Sequence, residues 1–429
     1  MSRRVIQVEE KLPMWESIPL SFQHLFAMFG ASVLVPILFN INPATVLMMN
    51  GIGTLIYIFI TKGKIPAFLG SSFAFLSPVF AVMAVSNYNS ALGGFIAAGL
   101  VFIIVALIIK FAGNKWVGVV FPPAAMGAIV AIIGLELAPV AAKMAGLIPD
   151  TSNPTLYMDP KVLLVSLSTL AIIVLGSILF RGFMAIIPIL VGVIWGYGLS
   201  LFLGIVNFAP IAKASWIALP TIYTPEFNIT AIITILPAAF VVIAEHIGHL
   251  IVTEKIVGRD LIKDPGLHRS LMGDGVSTLL SGLVGSVPTT TYGENIGVLA
   301  ITKVYSVWVI AGAAIISIII AFIGKFAAAI QTIPTPVMGG VSLILFGVIA
   351  ASGIRMLVEE KVDYSKPKNL MLTSVVLLVG LSGAHIIVGK DIRITGMVLA
   401  TLVAIVLSLL IKLFEVVGLT KKAEEDIQG

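Results

Sequence analysis

Three features of the sequence predict an all-α polytopic membrane protein of about fourteen transmembrane segments, arranged as two inverted repeats of seven. The composition is 59% hydrophobic and only 11% charged, with a mean hydropathy of +1.10, far from the balance of a soluble globular domain. A spanning helix needs roughly 20 largely apolar residues, and stretches of that kind recur along the chain between short polar or Gly/Pro breaks. Finally, Pro122-Pro123-Ala124-Ala125-Met126-Gly127 returns as Pro334-Thr335-Pro336-Val337-Met338-Gly339, close to half a chain later. Seven is odd, so a second copy must enter the membrane from the opposite side, a recurring plan of secondary transporters.

The expected spans begin with residues 16–38, which follow Arg3, Arg4 and Lys11. This segment is too long for a signal peptide and no small-residue cleavage site follows it, so it is expected to stay in the mature chain. It carries Gln23 and His24. The second span, 43–61, ends at Lys62 and Lys64; the third, 65–84, opens on Lys64-Ile65-Pro66-Ala67-Phe68-Leu69-Gly70-Ser71-Ser72-Phe73, rich in small residues and breaks. The fourth, 91–112, lies between an uncharged connection and Lys110 and Lys115. The fifth, 120–140, opens on the first copy of the repeated phrase and holds Glu136 near its outer end, where solvation is expected. Spans six and seven, 161–180 and 183–206, flank Arg181. The eighth, 228–252, contains Glu245, His246 and His249, and the ninth, 268–284, contains Asp274 between Gly273 and Gly275. The tenth, 290–302, is short and follows Pro288. Spans eleven to fourteen are 305–324, 334–353, 369–388 and 394–414, the twelfth opening on the second copy of the phrase.

With the amino terminus inside, roughly twenty basic residues fall on the cytoplasmic side and about five outside, as the positive-inside rule requires. Lys255 to Arg269, Arg355 to Lys368 and Lys421-Lys422 then lie inside, and both termini are cytoplasmic. The formal charge of +5 is scattered through loops, which speaks against nucleic acid. With no cysteine, disulfides are excluded and the redox compartment stays open.

An ionisable residue at lipid depth is costly and marks a functional site by default. Glu294 opens the run Glu294-Asn295-Ile296-Gly297-Val298-Leu299-Ala300-Ile301-Thr302-Lys303. The third and tenth spans are counterparts under the repeat. Paired interruptions point to a midplane site, because unwound backbone is tolerated only against protein or a cavity. Each is therefore expected to be part extended, part short helix. On a helix, Glu245 and His249 share a face, whereas His246 points about 100° away from Glu245. That carboxylate and imidazole can share a proton or line one wall, as proton coupling requires. His246, His249 and Glu245 do not follow the metalloprotease spacing, so no metal is expected. His24 is equally read as ligand or packing group, Asp274 as a tie to the site or a cap on a broken helix, and Phe73 as a stacking surface or core. No nucleophile–base set indicates an enzyme.

The run from Glu294 to Lys303 fits the signature of the nucleobase-ascorbate transporter family: an acidic or amide residue, Asn, one residue, Gly, four residues, Thr. Gln23-His24 and Ala244-Glu245-His246-Ile247-Gly248-His249 resemble its motifs in the first and eighth spans. The likeness extends through 121–127 and Val362-Asp363-Tyr364 and is strongest to the family's bacterial uracil-carrying members. The resemblance implies a core domain of residues 1–114 and 227–330 moving against a gate domain of 115–226 and 331–429, with short strands in spans three and ten. It implies uracil bound by Glu245 and Glu294, with backbone around Phe73 and Gly293 completing the hydrogen bonds and Tyr292 lining the pocket. Proton coupling would fall to Glu245, His249 and Glu294, with His24, Asp274 and Asn295 as accessory groups. It further implies import across a bacterial cytoplasmic membrane by alternating access, a homodimer, and no cofactor beyond the proton gradient. Phe346 stands where the family's uracil carriers have tyrosine, so a gate hydroxyl is absent. Two rivals remain: a purine or xanthine symporter of the same family, and an anion carrier of similar architecture, for which no lysine or arginine lies at the depth of the acids.

Overall fold

Proline sets where many of the helices begin. It lacks the N–H that a first helical position leaves unpaired and its fixed φ suits the helix, and it opens Pro43–Ile60, Pro123–Glu136, Pro160–Leu179, Pro188–Phe202 and Pro367–Leu381. The computed structural model describes residues 5–151, 153–388 and 392–419. Arg3, Arg4, Lys421 and Lys422, on which part of the charge asymmetry rests, lie outside the described residues.

Among the described residues, seven helices are long and apolar enough to cross a membrane: Pro43–Ile60, Tyr88–Ala112, Pro123–Met144, Pro160–Leu179, Ile229–Val257, Thr335–Glu359 and Gly396–Val417. An eighth candidate is the pair Met14–Ala27 and Phe29–Phe39, bent by 41°. Phe73–Val85, Pro188–Phe202, Val307–Ala321 and Pro367–Leu381 are shorter apolar helices. Leu267–Val284 and Gly293–Thr302 are more polar and sit among them. Large apolar side chains such as Phe59, Phe111, Ile178 and Phe202 are exposed, the pattern of a surface that faces hydrocarbon rather than water.

The chain is not purely α. Strand β1 (Leu69–Ser71) pairs antiparallel with β2 (Thr289–Thr291), Leu69 opposite Thr291 and Ser71 opposite Thr289. Pro66 and Pro288 interrupt helix before each strand, and the β-branched threonines suit an extended backbone. Both strands are fully buried, so their polar backbone is shielded from lipid. A second pair, β3 (His385–Val388) and β4 (Ile392–Thr395), corrects the thirteenth span. Expected to run to residue 388, it stops at Leu381 because Gly383 turns the chain at φ +73°. The seventh span is likewise shorter than expected, held between Pro188 and Gly204.

Helices meet closely where glycine removes a side chain. A Cβ on Gly99 would lie 2.6 Å from Leu279 N, and one on Gly134 would lie 2.1 Å from Phe346 O. Accordingly Leu267–Val284 packs on Tyr88–Ala112, and Thr335–Glu359 on Pro123–Glu136. Val307–Ala321 packs on Pro43–Ile60. Thr335–Glu359 also lies against Pro160–Leu179, while Pro367–Leu381 lies against Pro123–Glu136. Pro188–Phe202 packs on Pro160–Leu179, and Gly396–Val417 on Pro367–Leu381.

Candidate functional site

The strand pair is anchored by two threonines. Leu69 N donates to Thr54 Oγ1 at 2.9 Å and Thr289 N to Thr278 Oγ1 at 3.1 Å, so the first residue of each strand is held in the same way. Immediately after the strands the chain turns into helix, through Phe73–Phe75 on one side and Gly293–Thr302 on the other. No side chain caps either start. First-turn N–H groups carry partial positive charge and suit an electron-rich ligand atom.

The Ala238–Val257 helix crosses beside this junction. Glu245 is 9% exposed, its Oε2 has no hydrogen-bond partner, and it lies within electrostatic reach of Glu294 and Asp274. A buried carboxylate oxygen without a partner is costly unless something else is meant to meet it. One turn along, His249 Nδ1 is 3.2 Å from Thr291 Oγ1 of β2. A cavity of about 70 Å³ opens between this helix, the Gly293–Thr302 helix and Thr335–Glu359, lined by His249, Gly293, Gly297, Val130, Met356 and Arg355 among others. Arg355 Nε is engaged by Glu359 Oε1 at 2.6 Å at that end.

Of the residues singled out from the sequence, His249 and Gly293 line this cavity, and Glu245 lies one turn from His249 within electrostatic reach of Glu294. Phe73 borders the region, its ring edge-on to Phe346 with centroids 5.7 Å apart. Tyr292 is buried at the strand pair. Its ring lies over Gly70, where a Cβ would come within 2.3 Å of it, and its hydroxyl donates to Ser71 O at 3.1 Å. Tyr292 thus braces β1 against β2. Asn295 is engaged as well, with Nδ2 donating to His24 O at 3.1 Å and lying 3.2 Å from His24 Nδ1. That pairing ties the first helix to the Glu294 segment.

Asp274 is completely buried and lies 3.0 Å from His246 Nδ1. Its other oxygen accepts from Thr289 Oγ1 at 3.2 Å. Asp274 thus links the helix of Glu245 to the strand before Glu294. His246 Nε2 continues to Ser270 Oγ at 2.7 Å, and Ser270 to Tyr57 OH at 2.7 Å. Sequence reasoning passed over Thr54, Tyr57, Ser270 and Thr278, because a hydroxyl in an apolar helix is unremarkable until its distant partner is known. Glu136 was expected to be solvated. It is half-buried instead, accepting from Ser77 Oγ and from Met397 N, both at 2.8 Å.

Residues 15–389 match a family model described as "Permease family" (Xan_ur_permease). The chain is 62% identical to the uracil permease of Escherichia coli (strain K12), over 97% of this chain and 96% of that one. It is 48% identical to the uracil permease of Bacillus subtilis (strain 168), over 92% of each. Among solved structures, the transmembrane domain of a cyanobacterial bicarbonate transporter, BicA, aligns with a TM-score of 0.64 at 15% identity, covering 94% of this chain and all of that one. The anion transporter SLC26A9 aligns at 0.68 and 12%, covering 94% of this chain and 66% of that one. At these identities the structural likeness speaks for the fold alone. The chain belongs to the Permease family and is a membrane transporter, not an enzyme.

Proposed function

We propose that the protein imports uracil with protons across a bacterial cytoplasmic membrane by alternating access. The observation that carries this reading is that Glu245 lies within electrostatic reach of Glu294 beside the strand pair, with the uncapped helix start at Gly293 facing His249. Uracil presents N–H donors flanked by carbonyl acceptors. The carboxylates accept from its N–H groups while backbone N–H groups at Phe73 and Gly293 meet its oxygens, and the ring lies against Phe73. His249, one turn from Glu245, passes a proton between the acids and the cavity. The uracil permeases to which the chain is 62% and 48% identical support the choice of base.

The architecture behind this is fourteen spans in two inverted repeats, with residues 1–114 and 227–330 as core and 115–226 and 331–429 as gate. Packing supports it: partners exchange when each span is shifted by seven. The second span packs on the eleventh as the ninth does on the fourth, and the fifth on the thirteenth as the twelfth does on the sixth. Thr54 and Thr278, each holding the first residue of a strand, are a further symmetric pair. Both termini lie in the cytoplasm in this reading, the cavity opens inward, and two copies associate through their gates.

An anion carrier of this fold would need positive charge at the helix starts. The acids occupy that place, and Arg355, the cation nearest the cavity, is already bonded to Glu359. Against a purine or xanthine carrier stands the choice of base in the relatives, uracil permeases at 62% and 48% identity. Uptake of labelled uracil into liposomes under an imposed pH gradient tests the reading. Uptake indifferent to the gradient removes proton coupling; absence of uptake removes the substrate. Uracil is expected to outcompete cytosine, whose amino group would face a site built to donate.

A further inference from the structure

The Phe73–Phe346 contact joins core to gate beside the site, and farther along the helix that Phe73 opens, apart from the hydrogen bonds that the 207–226 connection makes to the core, lies another contact. Ser77 stands one helical turn past Phe73, leading away from the strands. Glu136 stands six residues past Val130, about 9 Å farther along its helix than the cavity wall. The two meet at 2.8 Å, Ser77 Oγ donating to Glu136 Oε1.

The other carboxylate oxygen is fixed within the gate. Glu136 Oε2 accepts from Met397 N, in the first turn of Gly396–Val417, and that helix has no cap from its own N-cap residue Thr395. A carboxylate at a helix N-terminus is stabilised by the unpaired N–H groups and the dipole. Gly396 makes the approach possible: its φ is +55°, and a Cβ built there would fall within 2.6 Å of all three atoms of the carboxylate group, Cδ, Oε1 and Oε2. The gate thus holds one acid rigidly, with one oxygen left to grip the core. At the opposite end of the molecule the core–gate tie is of another kind, an ion pair of Lys255 Nζ with Glu360 Oε1 at 2.5 Å between side chains 48% and 22% exposed. Exposed pairs of that sort contribute little.

We propose that Glu136 is the outer latch of the transport cycle: gripping Ser77, it holds the outer side closed while the cavity faces inward, and the bond must part before the site can open outward. This rests on the alternating-access reading given above. Ser77→Ala removes the grip and leaves the Glu136–Met397 bond intact, so the gate keeps its fold.

The chain has no cysteine, so a single cysteine at Ala74, buried one turn from Ser77 on the strand side, reports opening alone. In right-side-out vesicles, Ala74→Cys is labelled from outside with a membrane-impermeant thiol reagent. Losing one hydrogen bond shifts a two-state balance by about three- to tenfold, and labelling should rise by that factor with Ser77→Ala. Ser77→Thr, which keeps a hydroxyl, should return it toward the starting level. Gly396→Ala, which pushes the carboxylate aside, should raise it as Ser77→Ala does. Labelling that stays at the Ala74→Cys level in Ser77→Ala, or that Ser77→Thr fails to lower, overturns the latch. Uracil uptake by the same vesicles is measured in parallel. Absent uptake counts against uracil as substrate, whereas the labelling ratio bears on the latch by itself.

Discussion

The two segments that cross at the strand pair share a backbone plan and differ in chemistry. Each is a three-residue strand, held at its first N–H by a threonine and followed by a helix with no side-chain cap. After β1 come Phe73, Ala74 and Phe75, all buried, and the contact made is ring to ring with Phe346 of the proposed gate. After β2 come Gly293, Glu294 and Asn295, and the contacts made are polar, to His24 and to the neighbourhood of Glu245. Two segments can share a backbone plan while their side chains differ, as the proposed repeat would have it. One copy then supplies a flat apolar wall and the other the charge, which suits a ligand that is planar and edged with N–H and C=O groups.

If the division holds, damage to the charged copy is the more severe for binding. Glu294→Ala removes the carboxyl group of that segment and Glu245→Ala the one on the helix beside it, and each should raise the Kd for uracil about 30- to 200-fold by calorimetry on purified protein. A change below about threefold in both would place the ligand elsewhere.

The apolar copy is expected to be more sensitive in its backbone than in its ring. Gly70→Ala would drive a methyl group to within 2.3 Å of the Tyr292 ring, which is itself pinned by the Ser71 carbonyl. Overpacking of this kind costs about 1–3 kcal/mol, so thermal unfolding in detergent should fall by several degrees. Phe73→Ala leaves the strands alone and removes an edge-on aromatic contact, for which about 0.5–1.5 kcal/mol is typical. The Kd for uracil should rise about three- to tenfold. A loss as large as that of Glu294→Ala would erase the distinction between wall and charge.

How much of this could be read from the chain depends on distance. Glu245, Glu294 and His249 were legible because each stands out against its own apolar neighbours. The extended pieces at Leu69–Ser71 and Thr289–Thr291 showed in their prolines, glycines and threonines. The direction of a side chain was not legible where it depends on a partner far away in sequence. Tyr292 turns to Ser71 and Asn295 to His24, each more than 200 residues distant. Glu136 looked like an end-of-helix surface acid because its partners, Ser77 and Met397, lie on two other helices. β3 and β4 escaped notice because their apolar residues continue the hydrophobic pattern of the helix before them.

The smallest effect is expected at Gly297, the glycine of the Glu294–Lys303 motif. Every glycine that packs helices here would drive an added Cβ into a neighbour, yet at Gly297 nothing lies within 4 Å of it. Packing therefore gives no reason for glycine at this place. The residue is inside a helix, where alanine is favoured by roughly 0.5–1 kcal/mol, and it faces the cavity. Gly297→Ala should leave uracil affinity within about twofold and raise the unfolding temperature slightly, the opposite of Gly70→Ala on the other copy. Binding that survives while uptake collapses would mean that the helix of Glu294 comes against the gate at Gly297 in the outward-open form, and that the motif keeps its glycine for the moving state rather than for the one seen here.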